Sequence, residues 1–355
     1  MRYKAIVPLV ASLVASLPFA SVAFADGGPQ VSDPIVHDNL AIYLVHAPAV
    51  GSAVPLTLQE ALARAAVKVR ETGSVNELTV ENFGSDEVFV QAGDIVKGGH
   101  QDRVLSVDLL LPPHSGEVSI AAFCVEHGRW TARGDEDGTQ FSSAASAMPS
   151  HDAKMAMRSY MASAFNELPV VGMLPAAPSG GATTGQSQEQ IWSTVQETQN
   201  KLTRSVGAPV AAPASPSSLQ LSLENKKLKE AEADYMRALQ SFGEAEGDIV
   251  GYVFAINGKI NSADIYASNA LFRKMWPKLL AANVAEAISV KQAAGALPPS
   301  VKDVQTFLVA AATGTKTEHV INASVRVATL DGDTSLFAET RRTDGSWLHR
   351  NYLAK

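Results

Sequence analysis

Charged, glycine and imidazole residues gather in one short segment, Ala92–Arg103 (AGDIVKGGHQDR). Asp94, Lys97, Gly98, Gly99, His100, Gln101 and Asp102 carry its polarity, and Arg103 opens the apolar run that follows. Paired glycines let a backbone approach a ligand closely and turn its amides toward an anion. Lys97 would add a point charge, and Arg103 a two-pronged grip on phosphate or carboxylate. The order of residues excludes two familiar phosphate loops. The lysine precedes both glycines with no Lys-Ser/Thr after them, and no G-x-G-x-x-G occurs. The same residues read equally as an exposed connection with solvated charges.

A second cluster, Glu126-His127-Gly128-Arg129-Trp130, closes a later apolar run. If Arg103–Leu111 and Glu117–Val125 pair as a hairpin about Pro112-Pro113, the two clusters meet at one rim. Lys97, Gly98, Gly99, His100, Gln101, Asp102, Arg103 and Arg129 would then bind an anion, with Glu126, Asp94 and His127 as the candidates for acid–base work. A buried Arg–Glu pair holding the rim together is the alternative reading. Trp130 either stacks on a base or sugar or, as a Trp at a strand end, belongs to the core. His100, His127, Asp94, Asp102 and Glu126 are metal-ligand types without metal-ligand spacing, so no metal is assigned. No cofactor is legible. Cys124 sits inside an apolar run and reads as a small buried hydrophobe.

The elements that must position these residues follow from patterning. Short apolar runs at Ala41–His46, Val67–Arg70, Glu77–Phe83, Glu87–Gln91, Arg103–Leu111 and Glu117–Val125 are bounded by Gly, Pro, Asp and Ser, which predicts strands. Thr57 and Glu60 form a capping box for one helix among them. Pro, Ala, Ser, Gly and Thr dominate 168–220, a linker composition. Within it Ser187 and Gln190 cap a helix carrying Ile191, Trp192, Val195 and Leu202 on one face. That helix either docks through Trp192 or forms a lid. Farther on, Asn257-Gly258 predicts a hairpin between Asp248–Ile256 and Lys259–Tyr266. Ser268 caps a helix that Pro277 should kink, another helix spans Val301–Ala312, and a β-meander closes the chain. The expected class is α+β: an antiparallel, β-rich, sandwich-like core with peripheral helices.

The chain has 355 residues, 46% of them hydrophobic, and a formal net charge of −7. This supports a sizeable core and argues against nucleic acid as partner, because counterion release needs clustered Lys and Arg. One cysteine excludes a disulfide framework or a Cys-rich metal site within one chain. Met1–Ala25 reads as a secretory signal peptide: Arg2 and Lys4, an apolar stretch, then Ala23-Phe24-Ala25 before Asp26. The expected product is exported, periplasmic or extracellular, with no integral membrane segment after cleavage, and residues 26–355 forming one domain interrupted by 168–220.

AGDIVKGGHQDR, LLLPPHSGEVSI, CVEHGRW, SQEQIW and GYVFAINGKINSADIYASNALFRKMWPKLL occur in this order. Together they resemble the ARG and Rhodanese-Phosphatase-superfamily-associated protein domain family. The resemblance implies an association with ADP-ribose or NAD chemistry, without an assigned activity or catalytic residues. Two functions fit the residues. One is binding of an anionic, phosphate- or nucleotide-like ligand, or of a partner protein, at the Gly98-Gly99 rim. The other is hydrolysis of an ADP-ribose-related or other phosphorylated or glycosidic substrate.

Overall fold

A computed structural model describes residues 30–48, 53–166, 181–245, 247–292, 296–311 and 313–355. The expected signal peptide and the stretch 167–180 lie outside the described residues. Among the described residues the architecture is α+β, with antiparallel pairing throughout except between Leu56–Thr57 and Val88–Val90.

The largest sheet has nine strands. At its centre Leu40–His46 pairs with Ile249–Ile256, which pairs with Lys259–Tyr266, then Trp347–Ala354 and Ser335–Arg342. The central strands are buried on both faces, because alternate side chains meet different helices. Tyr43, Val45, Val253 and Ile265 pack on Val304, Phe307 and Leu308 of the helix Val301–Ala310. Ile42, Leu44, Tyr252 and Phe254 face the main core with Phe272, Met275 and Trp276 of the helix Asn269–Ser289. That helix starts, as expected, on a Ser268 cap and runs as one element through Pro277. The expected hairpin turn is present. Asn257 and Gly258 both take positive φ, 51° and 75°, the pair of conformations a two-residue hairpin turn of this twist requires.

A six-stranded sheet carries the rim. Gly116–Cys124 pairs first with Glu77–Asn82, from Gly116↔Asn82 to Ala121↔Glu77, and then with Arg103–Leu105, ending at Cys124↔Arg103. The expected continuous strand Arg103–Leu111 is therefore two strands. Leu109–Leu111 leaves for a separate three-stranded sheet with Val88–Val90 and Leu56–Thr57. The break has a cause at Asp108. Its carboxylate accepts from the Ala92 amide (2.8 Å), the Thr340 hydroxyl (2.6 Å) and bonds His349 Nδ1 (2.7 Å), drawing the chain toward the large sheet. Only the far end of the expected hairpin survives, which is the end that matters for the rim.

Three further elements escape patterning. Asp94–Gly98 is a strand rather than a connection, Phe141–Ala147 pairs with it, and His151–Asn166 is a helix. The expected linker also contains the helix Gly181–Val206, 26 residues long, and the short helix Leu219–Leu223. The long helix begins six residues before the expected Ser187 cap, so Ser187 lies inside it. Its apolar stripe is real: Ile191, Val195 and Leu202 are buried in the main core.

Candidate functional site

The strands Asp94–Gly98 and Arg103–Leu105 are joined by a tight reversal in which Gly98 and Gly99 have φ of 123° and 54°. These conformations suit glycine. Space demands it as well. A Cβ on Gly99 would lie 2.3 Å from Phe141 Cζ and 2.8 Å from Glu71 Oε1, and one on Gly98 would lie 2.9 Å from the Gln140 carbonyl. The close approach that the paired glycines allow is thus made by Phe141 and Gln140 of the chain itself.

Behind this turn the charged side chains are locked into one another. Asp102 is fully buried and accepts from Arg133 through both guanidinium nitrogens (3.0 and 3.1 Å), from Ser218 Oγ (2.7 Å) and from the Gly98 amide (3.0 Å). Glu126 is equally buried and accepts from Arg129 Nε (2.6 Å) and Nη2 (2.7 Å), the Asp102 amide (3.0 Å) and the Ser215 hydroxyl. Burial works to raise the Glu126 carboxyl, but the bonds from Arg129, Ser215 and Asp102 together hold it below the usual carboxylate range. Arg129 also donates to the carbonyls of Gly98 (3.2 Å) and Gly99 (3.0 Å), tying the glycine turn to the Glu126 segment. Arg103 has no exposed surface. It donates to Glu71 Oε1 (3.2 Å) and to the Gln101 carbonyl (2.7 Å). Lys97, at the edge, pairs with Glu224 at 2.9 Å.

The two sequence clusters do meet. Arg103 and Glu126 belong to one contiguous network, but the pairs are Arg103–Glu71 and Arg129–Glu126 rather than Arg103–Glu126. Each of Lys97, Arg103, Arg129 and Arg133 already faces a carboxylate. Asp94 stands apart: it is buried on its strand and pairs with Lys278 at 2.6 Å. Gln101 is buried, and His100 donates its backbone amide to Glu71 Oε1 at 3.0 Å. Trp130 is not core. It is 44% exposed, with its ring 5.2 Å from that of His100 and 5.8 Å from the Arg103 guanidinium carbon.

Residues from the supposed linker complete the site. Gln188 on the long helix bonds both the amide and the carbonyl of Cys124, each at 2.9 Å, replacing a further strand at that edge. Trp192 Nε1 donates to the Glu126 carbonyl at 3.1 Å, and its ring meets His127 edge-on at 4.5 Å. Ser217 accepts from the His127 amide and donates to its carbonyl. Between these parts opens a cleft of about 480 Å³ lined by His127, Glu189, Trp192, Ser193, Gln196 and Ser217, among others. Among the described residues, no Lys or Arg lines it. The capping pattern and the Trp in SQEQIW were the available signals for this half; nothing local marked Ser215, Ser218, Arg133 or Glu71.

A second polar centre lies between the sheets. His349 bonds Asp108 through Nδ1 (2.7 Å) and Asp264 through Nε2 (2.9 Å), and Asp264 also accepts from Tyr252 and from Asn351 (3.0 Å). Burial would lower the His349 imidazole, but its two carboxylate neighbours outweigh this and raise it to about 9. Among the described residues, no group of three or more His, Cys, Asp or Glu is arranged to hold a metal ion, and no helix is long and apolar enough to cross a membrane.

Neither the curated proteins nor the solved structures compared with this chain give a match. One family does, and it spans the rim, the long helix and both halves of the large sheet, residues 28–353. The chain belongs to the family described as the ARG and Rhodanese-Phosphatase-superfamily-associated Protein domain.

Proposed function

We propose that this is an exported binding protein that takes a sugar-like ring, a ribose or a hexose, in the cleft between the long helix and the His127 and Ser217 segments. The observation that carries this reading is the state of Trp192. Its indole N–H is committed to the Glu126 carbonyl, so the half-buried ring is held in a fixed plane at the cleft wall. A fixed aromatic face flanked by Ser193, Gln196, Ser217 and Glu189 matches a ring with one apolar face and a rim of hydroxyls.

The charge pattern favours a sugar over a bare anion. A phosphate entering at the glycine turn would have to displace a carboxylate from Arg129, Arg103 or Lys97, and among the described residues it would find no Lys or Arg at the cleft. The pattern also favours binding over hydrolysis. Glu126 accepts from four donors around it, and Asp94 is paired with Lys278, so neither carboxylate is poised as a base toward the cleft, and of the three acid–base candidates His127 alone lines it. Export rests on the composition of Met1–Ala25.

A thermal-shift series tests the reading with ribose, ribose 5-phosphate, several hexoses and inorganic phosphate. Sugar-containing ligands should raise the melting temperature, and Trp192→Ala should abolish the shift. Stabilisation by phosphate alone, or a shift that survives Trp192→Ala, would contradict it.

A further inference from the structure

Three buried polar atoms beside the glycine turn have no hydrogen-bond partner among the described residues: Glu71 Oε2, Arg103 Nε and His100 Nδ1. They are neighbours. Glu71 Oε1 accepts both from Arg103 Nη2 (3.2 Å) and from the His100 amide (3.0 Å), so the three residues meet at one carboxylate. Arginine commonly closes on a carboxylate with two parallel N–H···O bonds. Here only one prong is closed, because Oε1 is shared with the His100 amide. The second oxygen of that carboxylate and the Nε–H of that guanidinium are left as one acceptor and one donor. Unmade buried bonds of this kind are costly and uncommon, and three together call for an occupant.

The roof over them is Trp130. Its ring lies 5.2 Å from the His100 ring and 5.8 Å from the Arg103 guanidinium carbon, yet it is 44% exposed. It sits in a stretch, Glu126–Gln140, without helix or strand, where Gly128 and Gly134 take φ of 83° and 57°. Arg129 and Arg133 on either side are anchored to Glu126 and Asp102, so only the Trp130 side chain, not the segment, has to swing for a ligand to enter.

We infer that Trp130 covers a second binding pocket, for a planar heterocycle whose edge carries a donor next to an acceptor, as the edge of a nucleobase does. The heterocycle's N–H would donate to Glu71 Oε2, its ring nitrogen or carbonyl would accept from Arg103 Nε, and its face would stack on Trp130. Glu71 and Arg103 neutralise each other, so the pocket suits an uncharged base and gives a phosphate no advantage. This site is built from different residues than the Trp192 cleft and stands or falls separately.

The test is a titration of the purified protein with adenosine, guanosine, cytidine and uridine, followed by the indole N–H resonances of the four tryptophans. At least one nucleoside should bind saturably and shift the Trp130 resonance. In the Trp192→Ala background, which removes the cleft's hold on ribose, the Trp130 shift should persist; there Trp130→Phe should keep the affinity and Trp130→Ala should weaken it by about 5- to 150-fold, the range expected for one stacked base. No saturable binding by any of the four up to about 10 mM, weaker than the usual range of small-ligand sites, would overturn the inference and leave a trapped water as the occupant. Binding lost in Trp192→Ala but kept in Trp130→Ala would overturn it too, by placing the nucleoside in the cleft. If Trp130→Ala does not fold, the wild-type protein still decides the matter: a Trp130 resonance that nucleosides do not move contradicts the inference.

Discussion

Trp192 donates its indole N–H to the carbonyl oxygen of Glu126, 66 residues earlier in the chain, at 3.1 Å. Through this bond a helix from the Pro- and Ser-rich middle of the sequence becomes one wall of the site, and the carboxylate of the same Glu126 anchors the other. A helix standing alone in water is marginally stable at best, and its packed face supplies most of what holds it. Here that face is Ile191, Val195 and Leu202, with Gln188 and Trp192 fixing its register against the strand end at Cys124.

Glu126→Ala should be strongly destabilising. It leaves Arg129 and Arg133 in a buried place with one carboxylate fewer, and removal of one partner from a buried pair costs about 3–5 kcal/mol. Urea unfolding should show a lower midpoint with an unchanged slope. A loss under about 1 kcal/mol would mean that the network is solvated, as surface pairs are.

Gly99→Val should destabilise whether or not any ligand is present. The substituted residue would meet Phe141 and Glu71 while held at φ of 54°, and the backbone conformation alone costs about 1–3 kcal/mol. The melting temperature should fall in the ligand-free protein. An unchanged melting temperature with lost binding would instead assign the glycine to ligand approach.

Stability should fall at alkaline pH through His349. Its pKa is raised to about 9 in the folded protein, against an ordinary value of about 6.5. The contribution is therefore fully present below about 6.5 and is lost as pH rises through about 9. Asp108 and Asp264 run the other way. Burial raises them, but His349 and their other donors outweigh it and hold both below the usual range, so their contribution is present above about 3.9 and is lost as pH falls further. Unfolding measured from pH 6 to pH 10 should show the alkaline loss in the wild-type chain. His349→Gln should be less stable at pH 6 and should lack that alkaline slope.

Export should remove residues 1–25. The intact mass of protein from its native host should begin at Asp26, following Ala23-Phe24-Ala25. Retention of the first 25 residues would contradict export by this route.

The legible parts of the fold were those with a local signature. Leu40–His46, Glu77–Asn82 and the Asn257-Gly258 hairpin announce themselves by apolar runs and turn residues. The Thr57–Glu60 and Ser268 caps do so by side-chain chemistry at fixed spacing. The long helix was legible only from Ser187 onward, because its first turn and a half, Gly181–Gly185, is Gly- and Thr-rich and contributes little helix propensity. The break in Arg103–Leu111 was invisible for a different reason. Its cause, the bond from Asp108 to His349, joins residues 241 positions apart. The site divides the same way. Its glycine turn and its Glu126–Arg129 corner are sequence-local, whereas Glu71, Arg133, Ser215 and Ser218 enter only when strands and loops from four places converge.

A sugar-like ring seated on Trp192 would change the surroundings of its indole. The most direct test follows the Trp192 indole N–H resonance, assigned with Trp192→Phe, while ribose, hexoses and ADP-ribose are titrated into the purified protein. A saturable shift of that resonance is expected with at least one sugar and none with inorganic phosphate. A Trp192 resonance that no sugar moves, in a protein that is folded throughout, would contradict it.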